Sequence, residues 1–168
     1  MKLGREAPIF SDLTFLRESA MQQDGISIER VDHIGIRVRD LDRALGFYRV
    51  LGFELMHKVT FDAVAIIKNQ AGVEINLIIN ANAGDATKNI LMDVSEKYAG
   101  FTHIALRVNS IAATIAALKG NDIPISDGPV KFGDDGGVSV FVRDPDRNVI
   151  ELRGRDQGPI EGVKQYVP

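Results

Sequence analysis

The stretch "VDHIGIRV" at residues 31–38 is written again, nearly unchanged, as "FTHIALRV" at residues 101–108. His, Ile, Arg and Val coincide at the same four places, and the two histidines, His33 and His103, lie 70 residues apart. In the first copy Ile34, Ile36 and Val38 alternate with His33, Gly35 and Arg37. That period of two predicts a half-buried strand, apolar on one face, with histidine and arginine on the other. A chain with three histidines that puts two of them at the head of the same strand motif points to an internal duplication.

The segments C-terminal to the two strands repeat as well. "RDLDRALGFYRVLG" (39–52) reads as a helix with Asp40 as N-cap, Leu41, Ala44, Leu45 and Tyr48 at helical spacing, and Gly52 as terminator. "SIAATIAALKGN" (110–121) reads as a second helix, capped by Ser110 and closed by Gly120. "FELMHKVT", "DAVAIIKN" and "VEINLIIN" predict three strands in the first half; "IPISDGPVKF", "GVSVFVRD" and "NVIELRG" predict three in the second. "KNQAGVEINL" (68–77) lies ungapped on "RDPDRNVIEL" (143–152), both ending Ile-X-Leu, where X is Asn76 in one and Glu151 in the other. The polar segment 81–100 reads as the linker. The expected class is α+β, with two tandem βαβββ modules at 30–82 and 100–153 making one domain over 30–153. An extension at 1–29, whose Ile9, Phe10, Leu13, Phe15 and Leu16 suit a short amphipathic arm, precedes it, and a tail at 154–168 completes the chain.

Bulk properties remove several functions. The net charge is −3, and no Lys/Arg run reaches three residues, so there is no electrostatic footprint for nucleic acid. No apolar stretch approaches a membrane span, and Arg5, Glu6, Asp12 and Arg17 interrupt any signal-peptide core, so a cytoplasmic protein without membrane contact is expected. With no cysteine, a metal would have to be held by His, Asp, Glu or water, which suits Zn, Ni, Mn, Co or Fe.

The duplication gives such a metal a place. Two equivalent strands aim His33 and His103 at equivalent faces, and Glu151 shares that face because Ile150 and Leu152 take the opposite one. Two imidazoles and a carboxylate form a facial site for one divalent ion, with positions left open for substrate. The fourth corner has two candidates. Repeat alignment gives Asn76, whereas Glu74 lies one pleat step earlier on the same face. With two carboxylates the complex is neutral and one of them can leave to act as a base, which makes Glu151 and Glu74 the candidate catalytic groups. Arg37 and Arg107 share the histidines' face and could neutralise an anionic substrate. His57 has no counterpart in the second half and reads as a solvated strand residue; Asp144 and Asp146 read as turn formers; "FGDDGG" (132–137) reads as a surface loop or a lid.

"HIGIRVRDLDRALGFYRVLGFEL" and "THIALRV…GPVKFGDDGGVSVFVRDPDRNVIEL" together resemble the vicinal oxygen chelate superfamily (glyoxalase, bleomycin resistance, extradiol dioxygenase), and within it glyoxalase I. The resemblance implies paired βαβββ modules whose mixed sheets cup one divalent metal. It implies metal corners at His33, His103, Glu151 and Asn76, and substrate-binding roles for Arg37, Asn80 and Lys131, with Glu151 as both ligand and base. The implied activity is that of a lyase or isomerase on a small vicinal-oxygen substrate through a metal-bound enediolate. An Fe(II) extradiol-type dioxygenase and a metal-free binding or resistance protein are the alternatives within the superfamily. The resemblance also implies a homodimer, in which one site could draw ligands from two subunits. The chain departs from the glyoxalase I pattern at Asn76, where that family has glutamate, and at Ala99, where it has arginine.

Overall fold

The alternation at the head of each half becomes a strand: β1 spans Ile34–Arg37 and β5 spans Ile104–Arg107. The computed structural model describes residues 26–167 except 86, 134, 156 and 157, so nearly all of the extension expected at 1–29 lies outside the described residues. After β1 come helix α1 (Leu41–Val50) and strands β2 (Phe53–Lys58), β3 (Val64–Asn69) and β4 (Glu74–Ile78). After β5 come helix α2 (Ile111–Gly120), β6 (Ile125–Lys131), β7 (Gly137–Arg143), β8 (Val149–Arg155) and a two-residue β9 (Lys164–Gln165).

The caps set the helices. Asp40 accepts from Arg43 N–H, and Ser110 accepts from Ala113 N–H, each satisfying one of the orphan donors of a helix start. Gly52, at φ 84°, carries the chain out of α1 as the sequence predicts. In α2 the stop differs from the expectation. Gly120 is the last helical residue, Asn121 is the cap, and the left-handed residue is Asp122 at φ 55°. Asn121 delays the exit because its Nδ2 also donates to the Ala117 carbonyl at 2.8 Å, and a short aspartate tolerates the left-handed region.

Each half folds into a mixed sheet, ordered β1-β4-β3-β2 in the first and β5-β8-β7-β6-β9 in the second. In both, the strand that follows the repeated histidine, β1 or β5, is an edge and runs parallel to β4 or β8 respectively. The registers are the same: Gly35 pairs with Asn76, and Ala105 pairs with Glu151. The tail is not merely an appendage. β8 runs on to Arg155, and β9 pairs in parallel with the outer edge of β6. Nothing in the sequence pattern marks a strand of two residues.

Both modules bury the same parity of their strands in one core. Ile36, Val38, Ile67, Ile75 and Leu77 of the first sheet join Val140, Val142, Ile150 and Leu152 of the second, with Leu45, Phe47, Tyr48 and Leu118 from the helices. The "DPDR" turn forms as expected, and it also joins the modules. Asp146 takes the Arg39 guanidinium at 2.8 Å and the Arg39 N–H at 3.0 Å; Asp144 accepts from the buried Tyr48 hydroxyl at 3.1 Å. Burial pushes the Asp144 carboxyl up and the Tyr48 phenol well up. Asn89 and Asp93 tie the polar segment to the second module: Asp93 bonds Arg143 at 3.0 Å and Arg147 at 2.8 Å, and Asn89 donates to the Arg147 carbonyl.

Candidate active site

Because the apolar faces of both sheets turn inward, the opposite faces are left outside with the polar residues. In β1 and β5 the outward positions Gly35, Arg37, Ala105 and Arg107 are all exposed. The candidate chemistry lies on these two faces, one half on each.

The second sheet carries the richer half. His103, directly before β5, places Nε2 3.1 Å from Oε2 of Glu151 in β8. Ile150 and Leu152 are buried in the core as pleat parity requires, leaving Glu151 on the outer face at 7 % exposure. Phe141, the cross-strand neighbour of Glu151, sets its ring edge-on to His103 with centroids 5.8 Å apart. The other oxygen of Glu151, Oε1, accepts from the hydroxyl of the fully buried Ser139 at 2.5 Å. Arg153 Nη1 donates to the same Ser139 Oγ at 2.9 Å, while its Nη2 holds both carboxylate oxygens of Asp135 at 2.8 and 3.0 Å. Asp135 is thereby held below the usual carboxylate range, first by the Gly137 N–H and then by Arg153. The loop 132–137, read from sequence as surface loop or lid, is thus tied to the site at Asp135.

The first sheet holds the sparser half. Asn76 occupies the register position that Glu151 occupies in the second sheet, and the β3–β4 pairing runs without a slip from Val64 to Lys68. Its Oδ1 is buried and has no hydrogen-bond partner. Glu74, one step earlier, is taken up by its cross-strand neighbour Lys68 at 3.3 Å. His33 bonds the adjacent Asp32 at 2.8 Å and is about half exposed. Arg37 and Asn80 meet, Arg37 Nε donating to Asn80 Oδ1 at 2.9 Å. Lys131 ends β6, half-buried, in the second sheet.

Among the described residues no three His, Asp or Glu side chains stand close enough to hold one ion. Within the chain the structure therefore brings His103 to Glu151, and Arg37 to Asn80, but does not bring His33 to His103. The reason is the shared core. Two sheets that pack through their apolar faces must present their polar faces in different directions. The residues sequence reasoning missed are Ser139, Arg153, Asp135 and Phe141. Parity with Glu151 places Ser139 and Phe141 on the right face only once the β7–β8 register is known. A broad, open hollow lies elsewhere, at the end of the first sheet between Arg49, Glu54, Met56, Lys68 and Gln70. It takes in Lys68, the partner of Glu74, but none of the candidate residues themselves.

The donor set fits a divalent metal in kind. The facing atoms of His103 and Glu151 are a nitrogen and an oxygen at close range, the imidazole partly exposed and the carboxylate buried, and Asn76 offers a buried amide oxygen with no protein donor.

Comparison with known proteins places the fold. The sequence profile of the Glyoxalase/Bleomycin resistance protein/Dioxygenase superfamily matches residues 30–152. The chain is similar to a lactoylglutathione lyase of Haemophilus influenzae, 34 % identical over 71 % of this chain and 88 % of that one. It is also similar to a probable lactoylglutathione lyase of Vibrio cholerae, 32 % identical over 76 % of this chain and 91 % of that one. Among solved structures, a glyoxalase/dioxygenase from Nostoc punctiforme superposes with a TM-score of 0.58 at 21 % identity, covering 76 % of this chain and 92 % of that one. The fosfomycin resistance protein FosX from Listeria monocytogenes superposes with a TM-score of 0.56 at 18 % identity, over 78 % and 97 %. Duplicated βαβββ modules, matched registers and a profile match spanning both halves lead to one conclusion: the chain belongs to the Glyoxalase/Bleomycin resistance protein/Dioxygenase superfamily.

Proposed function

We propose that the protein is a metal-dependent lyase or isomerase of the glyoxalase I kind, acting on a small vicinal-oxygen substrate. The observation that carries this is the His103–Glu151 pair, Nε2 to Oε2 at 3.1 Å, in a chain similar to lactoylglutathione lyases over most of their length. His103 and Glu151 would hold the ion from one side, His33 and Asn76 from the other. The divalent ion would supply a Lewis acid that makes the carbon next to a vicinal carbonyl acidic.

The chain's own residues do the rest. For a hemithioacetal, Glu151 removes the proton from the sulfur-bearing carbon and delivers one to the neighbouring former carbonyl carbon, while the hydroxyl proton of the first carbon passes to the oxygen of the second, leaving a 2-hydroxy thioester isomeric with the substrate. One carboxylate suffices for both transfers because the two carbons are adjacent. Arg37 and Asn80, already in contact at 2.9 Å, form a positively charged clamp for a substrate carboxylate, and Lys131 adds a second cationic contact. Glu74, engaged by Lys68, is a poorer base than Glu151.

The two half-sites of one chain face apart, which supports a homodimer in which the first sheet of one copy meets the second sheet of the other. The test is elemental analysis of purified protein, paired with turnover of the hemithioacetal of methylglyoxal and glutathione. One divalent ion per site, lost in His103→Ala, with thioester formation abolished in Glu151→Gln, is the expected result. A protein that binds no divalent ion, or a Glu151→Gln variant as active as the parent, ends the proposal.

A further inference from the structure

The duplication supplies a comparison inside the molecule. In the second sheet Ser139 faces Arg153 across the β7–β8 ladder, two residues from the Phe141–Glu151 pair. The equivalent ladder in the first sheet pairs Val64 with Ile78, two residues from Ile66–Asn76. The carboxylate thus sits beside a hydroxyl and a guanidinium, whereas the amide at the matching position sits beside two aliphatic side chains, its oxygen unpartnered.

The second-sheet arrangement has a direction. A guanidinium can only donate, so the Ser139 oxygen that receives Arg153 Nη1 at 2.9 Å must turn its own proton elsewhere. The acceptor within reach is Glu151 Oε1 at 2.5 Å. Ser139 is fully buried, so no solvent competes for its rotor. Arg153 is in turn fixed by the two oxygens of Asp135, which is itself held by the Gly137 N–H at 2.8 Å. Gly137 leaves room for the guanidinium where it lies: a Cβ there would stand 2.7 Å from Arg153 Cζ, so the guanidinium would have to shift.

We infer that Ser139 and Arg153 are positioning residues for Glu151. Ser139 occupies Oε1 and so commits Oε2 to the His103 side, and Arg153 locks the Ser139 hydroxyl in that sense, anchored through Asp135 to the loop at 132–137. A carboxylate held by one oxygen presents the other in a fixed direction, without which a ligand and base would sample several rotamers. This rests on Glu151 being the ligand and base proposed above.

The experiment measures Zn²⁺ affinity by chelator competition, and kcat and KM with the hemithioacetal, in Ser139→Ala, Arg153→Met, Arg153→Lys, Gly137→Ala and Glu151→Gln. Ser139→Ala and Arg153→Met are expected to weaken the metal by about tenfold and to lower kcat by a similar factor with KM unchanged, the scale on which outer partners of metal ligands act. Arg153→Lys, which retains a donor for Ser139, is expected to recover most of the metal affinity that Arg153→Met loses. Gly137→Ala, which removes no polar group but displaces the guanidinium, is expected to resemble Arg153→Met. Metal affinity and kcat at the parent level in both Ser139→Ala and Arg153→Met, against loss in Glu151→Gln, overturn this inference and leave the proposed function standing. Parent-level behaviour in Glu151→Gln as well overturns both.

Discussion

If the two half-sites of one chain serve different sites, a pair of inactive variants will repair each other. His33→Ala damages the first-sheet half and Glu151→Gln the second-sheet half. In a mixed dimer with sites completed across the two-fold axis, one site collects both damaged halves and the other collects two intact ones. Random pairing of equal amounts makes half of the dimers mixed, each with one of its two sites whole, so co-expression recovers about one quarter of parent activity per chain. Each variant alone is expected to fall at least about 100-fold, the lower scale for removing an acid–base group or its metal. The gain on mixing is therefore roughly 25-fold over either parent variant. The assay is thioester formation by co-expressed chains carrying different affinity tags; purification through both tags isolates the mixed dimer and raises recovery to about one half. His103→Ala paired with Glu151→Gln is the control, because both lesions lie on the second sheet, 3.1 Å apart, and no intact site can form. A doubly purified His33→Ala/Glu151→Gln dimer no more active than its parents would refute the reasoning.

Three further outcomes are expected. Asn76→Glu places a carboxylate at the register position matching Glu151 and should tighten divalent metal by about tenfold while lowering the melting temperature of the metal-free protein, both read by thermal shift with and without Zn²⁺. Tyr48→Phe removes the hydroxyl that donates to buried Asp144 at 3.1 Å and should cost about 1.5 kcal/mol in urea unfolding; the other donors to Asp144, from Asn148 and the Asp146 N–H, keep the loss at the lower end for a charged acceptor. Asp93, held down to about 2 chiefly by its bond to Arg147, contributes stability that is fully present above the ordinary carboxylate pKa and is lost as pH falls from about 4 to about 2. Asp93→Asn should therefore be less stable than the parent at neutral pH, with a gap that closes over that acid window.

The sequence disclosed those parts of the molecule that depend on spacing along one chain. Strand parity put Ile36, Val38, Ile150 and Leu152 inside and His103 and Glu151 outside, and the caps Asp40 and Ser110 announced both helices. It also aligned Asn76 with Glu151, and the unslipped register keeps Glu74 one step away. What depends on contacts between strands was out of reach. Ser139 and Arg153 look like ordinary alternation until the β7–β8 pairing sets them opposite each other. That His33 stands apart from His103 results from which faces the modules share, and two identical patterns carry no instruction on that choice. Segment 81–100 was legible as polar, but its anchoring by Asp93 joins residues 50 and 54 positions apart in sequence.

The two sheets also differ in how their outer margins are finished. In the second, β9 pairs with β6, and Tyr166 N–H continues the contact to the Lys131 carbonyl at 2.8 Å. In the first, the outermost strand β2 leaves Leu55 and Met56 exposed, a row of main-chain donors and acceptors beside apolar side chains. Such a margin invites pairing with another chain, and β2 carries the usual deterrents. Glu54 and Lys58 set charge on it, and the ladder to β3 slips between Leu55 and His57, bending the strand out of the straight line that an incoming strand would need. The unmatched histidine of the first half, His57, therefore sits on the irregular outer strand of its sheet, where an incoming strand would have to dock.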